Sequence, residues 1–171
     1  RTWTRHDTSD WEGSELWWAW IGEDEHIFVG NNGLILEMDR ATQELVHVAG
    51  PGEEITFFGV WGASSEDVWA VGMTDGGQGP GAMWRRQNGE WAPYVDPDLG
   101  ESEDRTIYMK VEGTSAEDVW IVGSRGLALH YDGISMKEVA TDTEAATAAA
   151  PLLTVETRGE DPIAVGGAGT C

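Results

Sequence analysis

Cysteine is nearly absent. The single one is Cys171, the last residue, so no internal disulfide can form and the redox compartment is left open. Basic residues are also scarce: Lys and Arg number 10 against 31 Asp and Glu, for a formal net charge of −21. A surface that negative repels phosphate backbones and anionic lipid, which makes nucleic acid and acidic membranes poor partners. It has two readings, the plainer being solubility in a salty environment and the sharper attraction to cations or to a basic partner. No apolar run approaches the ~20 residues of a membrane-spanning helix. No secretory leader is recognisable, and the chain begins abruptly at Arg1. No stretch sustains a helical periodicity. The nearest candidate, 144–150, is short, stops at Pro151 and reads as a loop or single turn.

What the chain has in quantity is glycine, 23 residues, and tryptophan, 10, a composition suited to short strands joined by tight turns. These residues recur in order. Val60-Trp61-Gly62-Ala63-Ser64-Ser65-Glu66-Asp67-Val68-Trp69-Ala70-Val71-Gly72 is echoed by Val111-Glu112-Gly113-Thr114-Ser115-Ala116-Glu117-Asp118-Val119-Trp120-Ile121-Val122-Gly123. Weaker copies end at Gly30 and Gly166. The closing glycines lie about 40–50 residues apart, the length of a propeller blade. The longest interval holds an apparent insertion, Met73 to Pro80.

Each closing glycine is followed by a second glycine-rich turn, such as Gly30-Asn31-Asn32-Gly33 and Gly123-Ser124-Arg125-Gly126. Then come an apolar stretch, a polar turn (Asp39-Arg40, Asn88-Gly89, Asp132-Gly133) and one more short segment. Four short runs rich in Val, Ile, Trp and Phe, bounded by Gly, Asn and Asp, read as four antiparallel strands, and Asn-Gly or Asp-Gly between runs signals a hairpin. The expectation is an all-β chain, a β-propeller of four-stranded antiparallel blades with about three and a half blades present. Its blades span 16–50, 55–97 and 105–140, with a half blade over 151–171. Residues 1–10 read as the last strand of a preceding blade. In Val68-Trp69-Ala70-Val71 both alternating faces are apolar, which suits a strand buried between neighbouring blades. Asp67 and Asp118, just ahead of that strand, are expected to hold a turn through backbone N–H groups.

The motif Trp61-Gly62-x-Ser64-x-x-Asp67-Val68-Trp69-x-Val71-Gly72, with Tyr131-Asp132-Gly133 in the next unit, resembles the tandem repeats of secreted bacterial β-propellers. It is similar in pattern to the photosystem II assembly factor-like and sialidase-type (Asp-box) propellers. The resemblance covers roughly residues 16–169 and speaks for architecture rather than activity. It implies an exported protein, extracellular, at the cell surface or periplasmic. The Asp-box pattern itself is not matched cleanly by His130-Tyr131-Asp132-Gly133 or by Arg86-Gln87-Asn88-Gly89-Glu90-Trp91, and no Arg triad with a Tyr nucleophile is recognisable.

An open fan of blades leaves apolar end faces and unpaired strands. Three solutions stand: a second polypeptide completes the ring, two copies of this chain pair, or the chain closes on itself as four blades.

For chemistry, the four histidines at 6, 26, 47 and 130 show no metal-ligand spacing, and no cofactor is implied. The acidic stretch holding Asp96, Asp98, Glu101 and Asp104 is a candidate calcium loop, although Ile107 stands where an EF-hand loop needs an acid. Its plainer reading is a solvated loop between blades. Trp84-Arg85-Arg86, the concentrated basic spot, is a candidate for holding a carboxylate or acidic sugar, or else pairs with neighbouring Asp and Glu. Trp17 and Trp18 are candidates for stacking on a ligand, against the plainer reading as part of a first strand. The function expected is a non-catalytic binding or scaffolding propeller recognising a protein or glycan. The alternative is part of a propeller enzyme of glycosidase or lyase type whose active site needs further blades.

Overall fold

The computed structural model describes residues 3–48, 50–97, 99, 105–141, 150–158 and 161–167. Three four-stranded antiparallel meanders follow one another. The first holds β1 (Leu16–Ile21), β2 (Glu25–Gly30), β3 (Ile35–Asp39) and β4 (Leu45–His47). The second holds β5 (Ile55–Ser64), β6 (Asp67–Thr74), β7 (Gly81–Gln87) and β8 (Glu90–Pro93). The third holds β9 (Tyr108–Ser115), β10 (Asp118–Gly123), β11 (Ala128–Tyr131) and β12 (Met136–Glu138). A fourth sheet has two described strands, β13 (Leu152–Glu156) and β14 (Ile163–Gly166). The first strand of each sheet touches the first strand of the next, β1 to β5 to β9 to β13. The sheets are therefore blades set side by side with their opening strands innermost, an arc of a β-propeller.

The cores lie between blades. Ile27, Val29 and Ile35 of the first blade pack on Phe57, Val60, Val68, Ala70 and Ala82 of the second. Trp69, Val71 and Met83 of the second pack on Tyr108, Val111, Ile121, Leu129 and Tyr131 of the third. Strand β6 thus sends Val68 and Ala70 one way and Trp69 and Val71 the other, as period-two alternation requires of a strand buried on both faces. Val122, Ala128, Leu152 and Val155 join the third blade to the fourth.

The repeated closing glycines have a common cause. At the matching place each innermost strand slips by one residue: Trp17, Phe58, Met109 and Leu153 are the extra residues of four β-bulges. A Cβ on Gly30, Gly72, Gly123 or Gly166 would collide with the carbonyl oxygen of Glu15, Thr56, Ile107 or Pro151, respectively. In three blades that carbonyl accepts the N–H of the residue after the glycine: Asn31 at 3.0 Å, Ser124 at 2.8 Å and Gly167 at 2.9 Å. Backbone occupies the place a side chain would need.

Asn88 and Gly89 both take positive φ, 51° and 82°, in the two-residue hairpin between β7 and β8. Asp39 and Asp132 hold their turns through backbone N–H groups at 2.7–3.0 Å. Asp67 and Asp118 do otherwise. Their carboxylates bind side chains, and the turns ahead of β6 and β10 are held by Ser64 and Ser115, each accepting a backbone N–H at 3.2 Å. Residues 3–8 form no strand. The chain instead makes one 3-10 turn at Ser9–Trp11, and the Trp11 ring meets His47 of β4 edge-on, 6.3 Å between centroids.

Candidate functional site

The three residues of the basic spot are divided by the pleat of β7. Arg85 faces the third blade. Its Nε and Nη2 bind the two carboxylate oxygens of Asp67 at 2.8 and 2.7 Å, its Nη1 donates to the Tyr131 hydroxyl at 3.1 Å, and its guanidinium lies over the rings of Trp69 and Tyr131. Arg86 faces the first blade, where it pairs with Glu25, meets Glu37 at 3.4 Å and donates to the Ser65 carbonyl at 2.8 Å. Burial pushes the Glu25 carboxyl up, with Arg86 opposing. Trp84, on the same side as Arg86, packs into the core between the first two blades. Both guanidiniums are thereby joined to carboxylates within the fold.

These contacts follow one rule. Arg86 and Tyr131 occupy the same register position in successive third strands, opposite Val68 and Val119. Each reaches back into the preceding blade, onto the acid that opens its second strand or onto that acid's partner: Arg86 onto Glu25 and Glu37, Tyr131 onto Arg85. The corresponding socket on the third blade is Asp118, His130 and Trp120. There Asp118 accepts from Thr114, from the Trp120 indole at 3.0 Å, and meets His130 Nε2 at 2.8 Å. The Trp120 and His130 rings stack at 4.2 Å. Burial opposes ionisation of Asp118, but those hydrogen bonds outweigh it and hold the carboxyl below its ordinary range. Among the described residues no third strand of the fourth blade stands over this socket.

Asp96 is buried. It accepts the Tyr94 hydroxyl at 2.7 Å and the Met136 backbone N–H at 2.6 Å, so it ties the end of the second blade to the third. Burial, then Asp96, pushes the Tyr94 hydroxyl far above its usual range. Asp98, Glu101 and Asp104, the other members of the candidate calcium loop, lie outside the described residues.

Trp17 and Trp18 are placed differently from the arginines. The bulge at Trp17 breaks the alternation of β1. Trp17 meets Phe58, the bulge residue of the next blade, edge-on at 5.7 Å. Trp18 meets the Lys110 ammonium of β9, 3.6 Å from its ring centroid. The intervening strand has Gly59 here, where a Cβ would press on the Val111 N at 3.1 Å and the Lys110 Cα at 3.2 Å, so β5 and β9 approach closely at this point. The two tryptophans remain 50% and 46% exposed, whereas Lys110 is only 6% exposed. Burial pulls the Lys110 ammonium down and pushes the Glu112 carboxyl up, each opposed by the other across 3.5 Å. Glu156 of β13 acts on both, and Arg158, 3.4 Å from Glu156, acts on Glu112. The innermost strands thus present a rim of half-open aromatic rings beside a small set of paired charges.

The bulge ring and the Lys110 crossing went unread in the sequence. A signal was there: at the bulge each inner strand carries two consecutive large apolar residues, Leu16-Trp17, Phe57-Phe58, Tyr108-Met109 and Leu152-Leu153, which strict alternation does not accommodate.

No family model and no curated protein matches the chain. Among solved structures it is similar to one described as "YCF48 bound to D1 peptide", with a TM-score of 0.56 and 15% identity, over 76% of this chain and 41% of that one. The likeness is one of fold. The chain spans about two fifths of the length of that protein.

Proposed function

We propose that this chain is a non-catalytic binding propeller that recognises a segment of another protein on the rim of its innermost strands. The observation that carries the reading is the pair of half-exposed rings, Trp17 and Trp18, held on a bulge beside Phe58. Soluble proteins seldom leave contiguous large aromatics open, and Trp is enriched where partners bind. That the similar fold carries a peptide, as its description states, adds to the reading. Export to the cell surface, periplasm or medium remains part of it, on the resemblance of the repeats.

The test is photocross-linking in extract of the source organism, with a photoreactive residue at Trp17 or, as control, at exposed Val46 of the outermost strand β4. A discrete protein adduct from position 17 alone supports the reading. Glycan-array binding lost in Trp17→Ala, with no protein adduct, would replace it with sugar recognition.

A second polypeptide or another copy of this chain, completing the propeller, belongs to the same proposal. Its support is the socket of Asp118, His130 and Trp120, whose counterparts on the first two blades are filled by Arg86 and Tyr131.

A further inference from the structure

We infer that the segment taken up on the Trp17–Trp18 rim is basic, and that one of its arginine or lysine side chains stacks on these rings. The inference rests on the proposed protein-binding role and names the chemistry of the partner. The rim already holds a cation of that kind, since the Lys110 ammonium sits 3.6 Å from the centre of the Trp18 ring. Gly59 of the intervening strand lies close against the backbone of β9 at this point, a Cβ there standing 3.2 Å from the Lys110 Cα. An indole face is the strongest of the aromatic cation acceptors, and Arg uses it more often than Lys.

The neighbouring charges favour the same occupant. Lys110 is engaged by Glu112 and Arg158 by Glu156, so these two cations are already paired with carboxylates. Beyond them lies a chain of net charge −21, whose field draws in a basic segment and repels an acidic one. Trp17, with half its surface open and its ring supported by Phe58, supplies a second seat with no internal cation described over it. The basic segment adds its cation at Trp17 and competes with Lys110 at Trp18.

The experiment uses two short synthetic peptides, identical except that one carries Arg wherever the other carries Glu. Each is titrated into the whole chain while the indole N–H signals of Trp17 and Trp18 are followed by NMR. The Arg peptide should shift both signals and bind more weakly as salt is raised. Trp17→Leu, which keeps an apolar side chain, should weaken it about fivefold to tenfold. Lys110→Met, which keeps the stem and vacates the Trp18 seat, should tighten it severalfold. Near-ultraviolet circular dichroism of each variant checks that the fold persists. Equal or tighter binding of the Glu peptide, or no effect of Trp17→Leu on the Arg peptide, overturns the basic-partner inference and leaves the rim as a protein-binding surface. If neither peptide moves the two signals, both readings fall.

Discussion

Arg85 grips Asp67 with two parallel hydrogen bonds, 2.8 and 2.7 Å, from neighbouring strands of one blade, while its face covers Trp69 and its third arm reaches Tyr131 of the next blade. The pair is mostly withdrawn from water, with side chains 10% and 16% exposed. Removing one partner leaves a largely buried charge uncompensated. Arg85→Met should cost about 3 kcal/mol of stability, and Asp67→Asn with Arg85→Met should cost less than the two single changes added together. Urea unfolding of the two single variants and the double variant measures both.

The closing glycines make a second, sharper series. Gly30→Ala, Gly72→Ala and Gly123→Ala each drive a methyl into a backbone carbonyl that cannot retreat without undoing the bulge. Each should cost about 2–4 kcal/mol. Gly89→Ala meets nothing within 4 Å and suffers only from its φ of 82°, a cost of about 1 kcal/mol. Thermal melts that rank Gly89→Ala with the other three would remove the bulge explanation.

Acidity acts in two opposed directions. Glu25 and Glu112 have carboxyls raised above the ordinary value of 4.5, chiefly by burial. The folded state holds their protons more tightly, so their contribution is full below 4.5 and is lost as pH rises through the raised folded values. Asp39, Asp118 and Asp132 are lowered from 3.8, so theirs is present above that value and is lost as pH falls through the depressed ones. Relief of repulsion within a chain of charge −21 adds to the first effect. The melting temperature should therefore rise from about pH 7 to about pH 5 and fall below about pH 3. Glu112→Gln should reduce the rise. A melting temperature that drops steadily on acidification from neutrality contradicts the assignment.

If a completing partner fills the Asp118–His130–Trp120 socket, the purified material has a native mass greater than one chain. Native mass spectrometry beside denatured chain masses decides the source: a different polypeptide or a second copy. A homogeneous single chain, with Trp120 unchanged in fluorescence across all concentrations, would remove the completing partner.

Much of this fold was legible beforehand because the repeat carries it. Asp67-Val68-Trp69 and Asp118-Val119-Trp120 mark second strands apolar on both faces, and only stacking between blades buries both. Asn88-Gly89 announced its hairpin through the backbone that glycine and asparagine permit. What stayed hidden depended on partners far along the chain. Asp67 read as a turn residue, because nothing local reveals that Arg85 will arrive from the next strand. The same distance hid why the Arg85-Arg86 pair divides, one toward each neighbouring blade. Lys110 over Trp18 joins residues two blades apart across an intervening strand, a coincidence no single window of sequence contains.

That contact is also the most direct test of the account, since it exists only if the inner strands of successive blades close around a shared rim. Proton NMR of the Lys110 side chain reads it. An indole face 3.6 Å from the ammonium should move the adjacent methylene protons strongly upfield by ring current and give cross-relaxation to the Trp18 ring, both abolished in Trp18→Leu. Lys110 methylene signals at ordinary, solvent-like positions with no link to Trp18 would contradict both the arrangement of the blades and the binding rim built on it.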